Sequence, residues 1–307
     1  MTQHNGQDGQ RVALTPPATG LKKAWRRLRW SVAKRLCPGR ALIVRFDGDL
    51  KMALRSIDRL GKAVYLKGYS DRTHAEFLHR ALRPGMVYFD VGAHMGQFTL
   101  IGSKRVGPAG RVHAFEATSE TFGQLQRNVA LNGLTNVTLN RAAIFEKPGV
   151  LELQVCVRGK GEFNAIGKPL RPEEEVVGVE RVPGITIDDY CRENGVGHID
   201  LMKIDTNGAE LQVIRGARRT LRAMTGLTLV VEFNRANNAG HGYRPEDLRN
   251  EFESLGYALY RLDDAWGLSP EPRGESYDQT IDLIATRDVE TLRRRLTEQR
   301  QASQGPG

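Results

Sequence analysis

The sequence predicts an α/β fold: a doubly wound, mostly parallel sheet with helices on both faces. Three observations carry this expectation. From residue 86 onward, short apolar runs alternate with amphipathic segments. A glycine-bearing turn, Asp90-Val-Gly92-Ala-His94-Met-Gly96, joins the first of these runs to the first helix. Finally, no apolar run approaches the roughly 20 residues needed to cross a bilayer.

Residues 1–20 hold Gly, Gln, Thr and Pro with few apolar groups and are expected to be disordered. Leu21, Ala24, Trp25, Leu28, Val32 and Leu36 then recur at helical spacing on one face, with Lys22, Lys23, Arg26, Arg27 and Lys34 on another. Residues 21–40 thus read as a basic amphipathic helix, stopped at Cys37-Pro38-Gly39. Residues 41–83 read as a cap. It comprises a strand Ala41–Phe46, a turn at Asp47-Gly48-Asp49, extended pieces reaching Tyr69, and a helix Thr73–Leu82.

The main domain spans 84–287. Its strands are Met86–Val91, Arg111–Phe115 and Val137–Ile144, separated by helices Gln97–Arg105 and Ser119–Leu131. Val150–Val157 reads as an antiparallel excursion, and 158–180, rich in Gly, Glu and Pro, as a surface loop or flap. A short helix opens after Thr186. Strand Ile199–Ile204, helix Leu211–Ala223, strand Leu227–Phe233 and a helix from Arg244-Pro245-Glu246 to Leu255 follow. Tyr257–Leu262 and Thr280–Thr286 close the sheet, and 288–307 is expected to be a charged, frayed tail.

The net charge of +9 resembles a nucleic-acid signal until it is located. Residues 1–40 carry nine Lys/Arg against the single acid Asp8, so the remainder holds 36 basic and 35 acidic residues. Any basic partner surface therefore belongs to the arm. Its expected roles are docking onto the domain or a partner, or peripheral contact with an anionic membrane through residues 21–40. Nucleic acid is not expected as a partner, because the body is neutral and has no N-P-P-Tyr-type motif. Cys37, Cys156 and Cys191 are odd in number and widely spaced, which suggests neither a disulfide framework nor a zinc site. The start shows no secretory pattern, and a cytoplasmic location is expected.

Chemistry concentrates at predicted strand ends. Gly92 and Gly96 let the first turn bend tightly against a ligand. Asp90 would repel a pyrophosphate there but attract the sulfonium and ammonium of S-adenosylmethionine. The D-x-G-x-x-x-G spacing also departs from the dinucleotide fingerprint. Glu116 ends the second strand, where an acid can take the ribose hydroxyls of an adenosyl group. His94 can meet the cofactor carboxylate, and Ala142 belongs to the same cofactor set. His113, inside an apolar strand, reads as a core histidine.

Asp205 ends a buried strand on the ligand edge, with Glu210 in the next helical turn and Asn207-Gly208 between them. This carboxylate pair can accept the proton of an attacking hydroxyl, hold a divalent cation, or simply cap a helix. Lys203 is read as a salt-bridge partner on the sheet. Glu232 and Asn234 close the next strand and are candidates for the acceptor pocket, together with Asn207.

The stretches "RPGMVYFDVGAHMGQFTL", "GRVHAFEATSETFGQLQRNVALNGLTNVTLNRAAIFEKPGVLEL" and "ITIDDYC…HIDLMKIDTNGAELQVIRGA", followed by "LVVEFN" and "IDLIATRD", resemble the FkbM-type methyltransferases over roughly residues 41–287. The resemblance implies a class I methyltransferase fold with strand order 3-2-1-4-5-7-6 and a reversed last strand. It also implies S-adenosylmethionine as cofactor. The implied activity is O-methylation of a hydroxyl on a sugar, glycolipid or natural product, so the expected partner is a small-molecule, glycan or lipid-linked acceptor. Asp205 and Glu210 would orient or deprotonate the hydroxyl. Three positions depart from the family pattern: Asn207 stands where Glu is usual, His94 where Asn is usual, and Ala117 where Pro is usual. Asn207 motivates a rival reading, a non-catalytic cofactor-binding module; a nucleic-acid methyltransferase is the other rival.

Overall fold

The computed structural model describes residues 18–157, 160–161, 164–167 and 175–303. Helix α1 (Gly20–Leu36) leads into a hairpin of β1 (Ala41–Phe46) and β2 (Leu50–Arg55), followed by α2 (Arg59–Lys67) and α3 (Arg72–Ala81). In the hairpin turn Asp47 and Gly48 take φ of 46° and 78°, a region that glycine and short polar residues tolerate best. The Asp47 carboxylate is tied there by Tyr69 Oη at 2.6 Å and His79 Nε2 at 2.9 Å.

The central sheet begins with β3 (Val87–Val91), α4 (Gln97–Val106), β4 (Arg111–Phe115), α5 (Ser119–Leu131) and β5 (Val137–Asn140). The chain then builds a second, four-stranded sheet from β6 (Ala143–Ile144), β7 (Gly149–Cys156), β8 (Ala165–Ile166) and β9 (Val176–Ile185). It returns through α6 (Ile187–Glu193), β10 (Leu201–Ile204), α7 (Glu210–Arg215), α8 (Arg218–Ala223), β11 (Thr228–Phe233), α9 (Arg235–Gly240) and α10 (Pro245–Ser254). It closes with β12 (Ala258–Leu262), β13 (Leu268–Pro270), β14 (Ile281–Thr286) and α11 (Val289–Ser303).

The central sheet has the order β5-β4-β3-β10-β11-β14-β12-β13. Its first five strands are mutually parallel, and β14 runs antiparallel between β11 and β12. This is the expected 3-2-1-4-5-7-6 order with a reversed last strand. The sheet has eight strands rather than seven, because β13 adds an antiparallel edge. The winding reverses between β3 and β10, and in open α/β sheets the crevice at such a switch point receives ligands.

Several sequence expectations are corrected. Residues 59–67 are helical rather than extended: Gly61, Val64 and Tyr65 turn inward together and Leu60 packs beside them, a short period that glycine and β-branched content disguised. The strand expected at 137–144 breaks at Arg141-Ala142, where β5 leaves the central sheet and β6 joins the smaller one. The flap at 158–180 contributes β8 and the start of β9, and its remaining expected loop lies partly outside the described residues. The helix expected at 211–223 is two helices. Gly216 separates them: a Cβ there would stand 2.1 Å from Phe145 O, and its carbonyl accepts from Asp188 N. The Asp188 carboxylate in turn accepts from Arg219 N (2.9 Å) and Thr220 N (2.7 Å) in the first turn of α8. Helix α11 corrects the expected frayed tail over 289–303, since Leu292 and Leu296, four residues apart, enter the core.

The predicted apolar stripe of α1 does not dock onto the domain. Trp30, outside that stripe, is the side chain the helix buries. Residues 1–17 of the segment expected to be disordered lie outside the described residues. Among the described residues no helix is long and apolar enough to cross a membrane.

Candidate active site

Beyond β3 the chain turns through Gly92, His94 and Gly96, with φ of 80°, 49° and 89°. A Cβ on Gly92 would lie 1.9 Å from Asp205 O, and one on Gly96 would lie 2.6 Å from Leu125 Cδ1. Glycine therefore lets the turn nest against the tip of β10 and against α5. The Glu116 carboxylate, just past β4, binds the same turn. Its Oε2 accepts from His94 N at 2.9 Å, and its Oε1 accepts from Thr118 N (3.0 Å), Thr118 Oγ1 (2.6 Å) and Thr121 Oγ1 (2.6 Å).

Between this turn, β6 and the end of β10 lies a cleft of about 740 Å³, open to solvent. One wall is apolar, with Phe115, Ala142 and Ile144; the other presents His94, Glu116, Asp205 and Asn207. Both ring nitrogens of His94 are buried without a hydrogen-bond partner. In a native interior such orphaned polar atoms call for an explanation, and a ligand supplies one.

A second cavity, also open to solvent, adjoins the first and shares Leu60, Gly92, His94 and Asp205 with it. Strand register builds its charged floor. Lys203 pairs with Asp90 across β10 and β3, and Glu232 pairs with Asp282 across β11 and β14. The period of two then puts Asp205 on the same face as Lys203. The Lys203 ammonium lies 3.0 Å from Gly92 O, 3.4 Å from Asp205 and 3.5 Å from Asp90. Burial pulls its pKa down, but Asp205, Asp90 and Asp282 together outweigh burial and hold it above the ordinary lysine value. Glu232, mostly buried, is pushed well above the usual carboxylate range, first by burial and then by Asp205, Glu210 and Asp282.

Helix α3 adds His74 to this cavity. Its Nδ1 lies 3.3 Å from Asp282 Oδ2, its ring packs 4.4 Å from that of Phe98, and its buried Nε2 has no partner. Burial raises the Asp282 pKa, but His74 and Lys203 outweigh it and leave this carboxyl below its ordinary value.

The structure thus brings Gly92, His94, Glu116, Ala142, Asp205 and Asn207 together around one cleft, and carries His94 and Asp205 on to Glu232 in the next. Other expected site residues lie elsewhere. Asp90 is fully buried and lines neither cavity; its Oδ2 accepts from Thr99 Oγ1 at 2.6 Å and its charge faces Lys203. It lies beneath the turn, with its Oδ1 buried and without a hydrogen-bond partner. Glu210 is also withdrawn. Its Oε1 accepts from Thr206 N, Thr206 Oγ1 and Gly208 N at 3.0–3.1 Å, and its Oε2 accepts from Tyr243 Oη at 3.1 Å. Those bonds occupy the oxygens that proton transfer or a shared cation would require. Among the described residues no cluster of three His, Cys, Asp or Glu could hold a metal ion.

Asn234 caps α9 through Asn237 N (3.0 Å) and donates to Thr280 Oγ1 (2.7 Å), outside both cavities. Asn207 has φ of 57°, a region asparagine adopts more readily than glutamate, and its Nδ2 donates to Asn164 O at 2.9 Å. His113 is a core histidine, 2.7 Å from Tyr190 Oη. His74 and Asp282 were missed from sequence because they lie 208 positions apart, on elements that read as ordinary structure.

A doubly wound sheet with a reversed strand, a glycine turn and an acid closing its second strand defines the class I methyltransferase fold. The model of the Methyltransferase FkbM domain matches residues 90–259, more than half of the chain, and the chain belongs to that family. Methyltransferase sdnD of Sordaria araneosa is 26% identical over 202 residues, covering 54% of this chain and 78% of that protein. The 31-O-demethyl-FK506 methyltransferase FkbM of Streptomyces tacrolimicus is 26% identical over 159 residues, covering 44% and 60%. Among solved structures, methyltransferase FkbM from Methylobacillus flagellatus KT is 15% identical, covers 73% of this chain and 53% of that chain, and has a TM-score of 0.40.

Membership of this methyltransferase family implies S-adenosylmethionine as the cofactor. The cleft fits it. Phe115, Ala142 and Ile144 would offer an apolar slot for the adenine, Glu116 Oε2 retains a free lone pair that would take a ribose hydroxyl, and the His94 nitrogens would supply further polar partners.

Proposed function

We propose that this methyltransferase acts on oxygen, transferring the methyl group to a hydroxyl of an acceptor seated in the second cavity. One observation carries the reading. The cavity that adjoins the cofactor cleft, sharing Gly92, His94 and Asp205 with it, is lined by His74, whose Nδ1 faces Asp282 and whose buried Nε2 has no partner. Bound S-adenosylmethionine supplies a methyl already activated on a sulfonium, so the chain must supply position and a destination for one proton. As the acceptor oxygen gains the methyl it loses its hydrogen, and His74 Nε2 takes that proton while Asp282 fixes the ring and stabilises its charged form. Asp205, at the junction of the cavities, orients the hydroxyl. Glu232, whose pKa is pushed above the usual carboxylate range by burial and then by Asp205, Glu210 and Asp282, lines the same cavity and is placed to bond a second acceptor oxygen.

The acceptor class we favour is a sugar, glycolipid or natural product with vicinal oxygens. The name of the Streptomyces relative describes an O-methyl transfer and supports the choice of oxygen. In the test, enzyme and methyl-labelled cofactor are incubated with glycan, lipid and RNA fractions, and the labelled product is located chemically. Label in a base-stable methyl ether is the expected result. His74→Asn should retain cofactor affinity and lose about 10²–10⁴-fold in transfer rate, the usual cost of a general base. Label on nitrogen or carbon, or full turnover by the variant, overturns the reading.

A further inference from the structure

Among the described residues, helix α1 carries a large exposed apolar surface. Trp30 is 2% exposed, its ring 5.3 Å from that of Tyr65, and Arg26 Nη1 donates to Tyr65 O at 3.1 Å. These contacts fix the rotation of the helix on α2. At about 100° per residue, Leu21, Trp25, Leu28, Val32 and Leu36 then fall about 120–180° away from Trp30. Their exposures are 90%, 65%, 55%, 46% and 71%. The stripe therefore faces away from the body, and Ile43 on the neighbouring strand β1, 60% exposed, faces solvent too. Isolated exposed apolar residues are ordinary; five in register along one helix are not.

Charge identifies the occupant. Helix α1 carries Lys22, Lys23, Arg26, Arg27, Arg29, Lys34 and Arg35 and no acid. By the same angular count Lys22 and Arg29 flank one side of the stripe and Arg35 flanks the other, while Lys23, Arg26, Arg27 and Lys34 lie on the half of the helix that carries Trp30. None of the seven forms an ion pair with a carboxylate among the described residues. Arg29 and Arg45 also line, with Trp25, a groove between α1 and β1. An apolar stripe bordered on both sides by cations is the arrangement of a helix lying in a bilayer interface, apolar side chains below the headgroups and basic ones at phosphate level. A protein-binding helix has no need of cations on both borders, and a nucleic-acid-binding helix has no need of the stripe.

We infer that α1 docks this protein onto the surface of a membrane containing anionic phospholipid, with Leu21, Trp25, Leu28, Val32 and Leu36 in the interface. The body beyond residue 40 carries a net charge of only +1, from 36 basic and 35 acidic residues, so attachment depends on the arm. The attachment bears on the site as well. Trp30 packs on α2, and Leu60 of α2 lines both cavities, so the docked helix rests on an element that forms their wall.

The experiment sediments the full-length chain with vesicles of phosphatidylcholine alone or with 30% phosphatidylglycerol, at low and at high salt. Binding is expected only to the anionic vesicles and should fall as salt rises. The emission of Trp25 should shift to the blue on binding, while the already buried Trp30 serves as internal reference. The variant W25S/L28S/V32S changes only exposed side chains, so its unfolding temperature should match the parent, and its partitioning should fall at least tenfold. Failure of the full chain to bind anionic vesicles at low salt would overturn the inference. So would equal binding by the serine variant, which would reduce the contact to adsorption of charge. Tighter binding to RNA than to anionic vesicles, unaffected by the serine substitutions, would reassign the arm to nucleic acid.

Discussion

Replacing Glu116 by alanine separates what this carboxylate does for the fold from what it does for the ligand. Its two oxygens accept from His94 N and Thr118 N, as well as from the hydroxyls of Thr118 and Thr121. The hydroxyls also bond each other, so they retain a partner in the variant. The two amides do not. An orphaned buried donor costs about 1–3 kcal/mol, and with cleft water able to reach these two, a total of about 2–4 kcal/mol is expected. For a chain of this size, about 2 °C per kcal/mol predicts a fall in unfolding temperature of about 4–8 °C. Separately, loss of the remaining lone pair to a ribose hydroxyl should weaken S-adenosylmethionine binding by about 1.5–3 kcal/mol, roughly ten- to a hundredfold. Calorimetry below the melting range reads the second effect and thermal unfolding without ligand reads the first. A Glu116→Ala protein that melts within a degree of the parent would refute the keystone role. One that melts early yet binds the cofactor at parental affinity would refute the ribose assignment alone.

Lys203→Met should destabilise the chain by about 3–5 kcal/mol in urea unfolding, because the Asp90 carboxylate is then buried without its cation; adding Asp90→Asn should recover much of the loss. The His113 pKa is lowered from 6.5 to about 4, first by burial and then by Arg111. The folded state therefore keeps this ring neutral while the unfolded chain protonates it below pH 6.5. The resulting stability is complete above that pH and is lost as pH falls toward 4, by about 3 kcal/mol in all. A His113→Phe variant should show a correspondingly flatter dependence of its urea midpoint over that window.

Strand–helix alternation was enough to read a mostly parallel sheet, because it depends on local spacing, whereas the strand order came only from the family resemblance. The cleft was legible for a related reason: Gly92, His94, Glu116, Asp205 and Asn207 all follow strand ends, and topology sends those ends to one edge. What the sequence concealed was direction. Asp90 and Glu210 have the right chemistry at the right positions, yet both point into the protein, held by Thr99 and Lys203 in one case and by the turn amides of Thr206 and Gly208 in the other. A carboxylate that secures a turn and one that meets a substrate occupy the same place in a sequence pattern. His74 was hidden in the opposite way, since its partner Asp282 arrives from the last strand. Burial of Trp30 in place of the periodic stripe likewise depended on a contact the sequence does not display, that of the indole with the Tyr65 ring on α2.

The two cavities share Leu60, Gly92, His94 and Asp205, so ligands filling both would meet at one wall. A ligand in one sets the rotamers and the hydration of the wall that the other must use. Whatever factor the cofactor contributes to acceptor affinity, the acceptor returns to cofactor affinity, because such coupling is reciprocal by thermodynamic necessity. On the proposed assignment, product release and the admission of the next acceptor would be joined through these four residues.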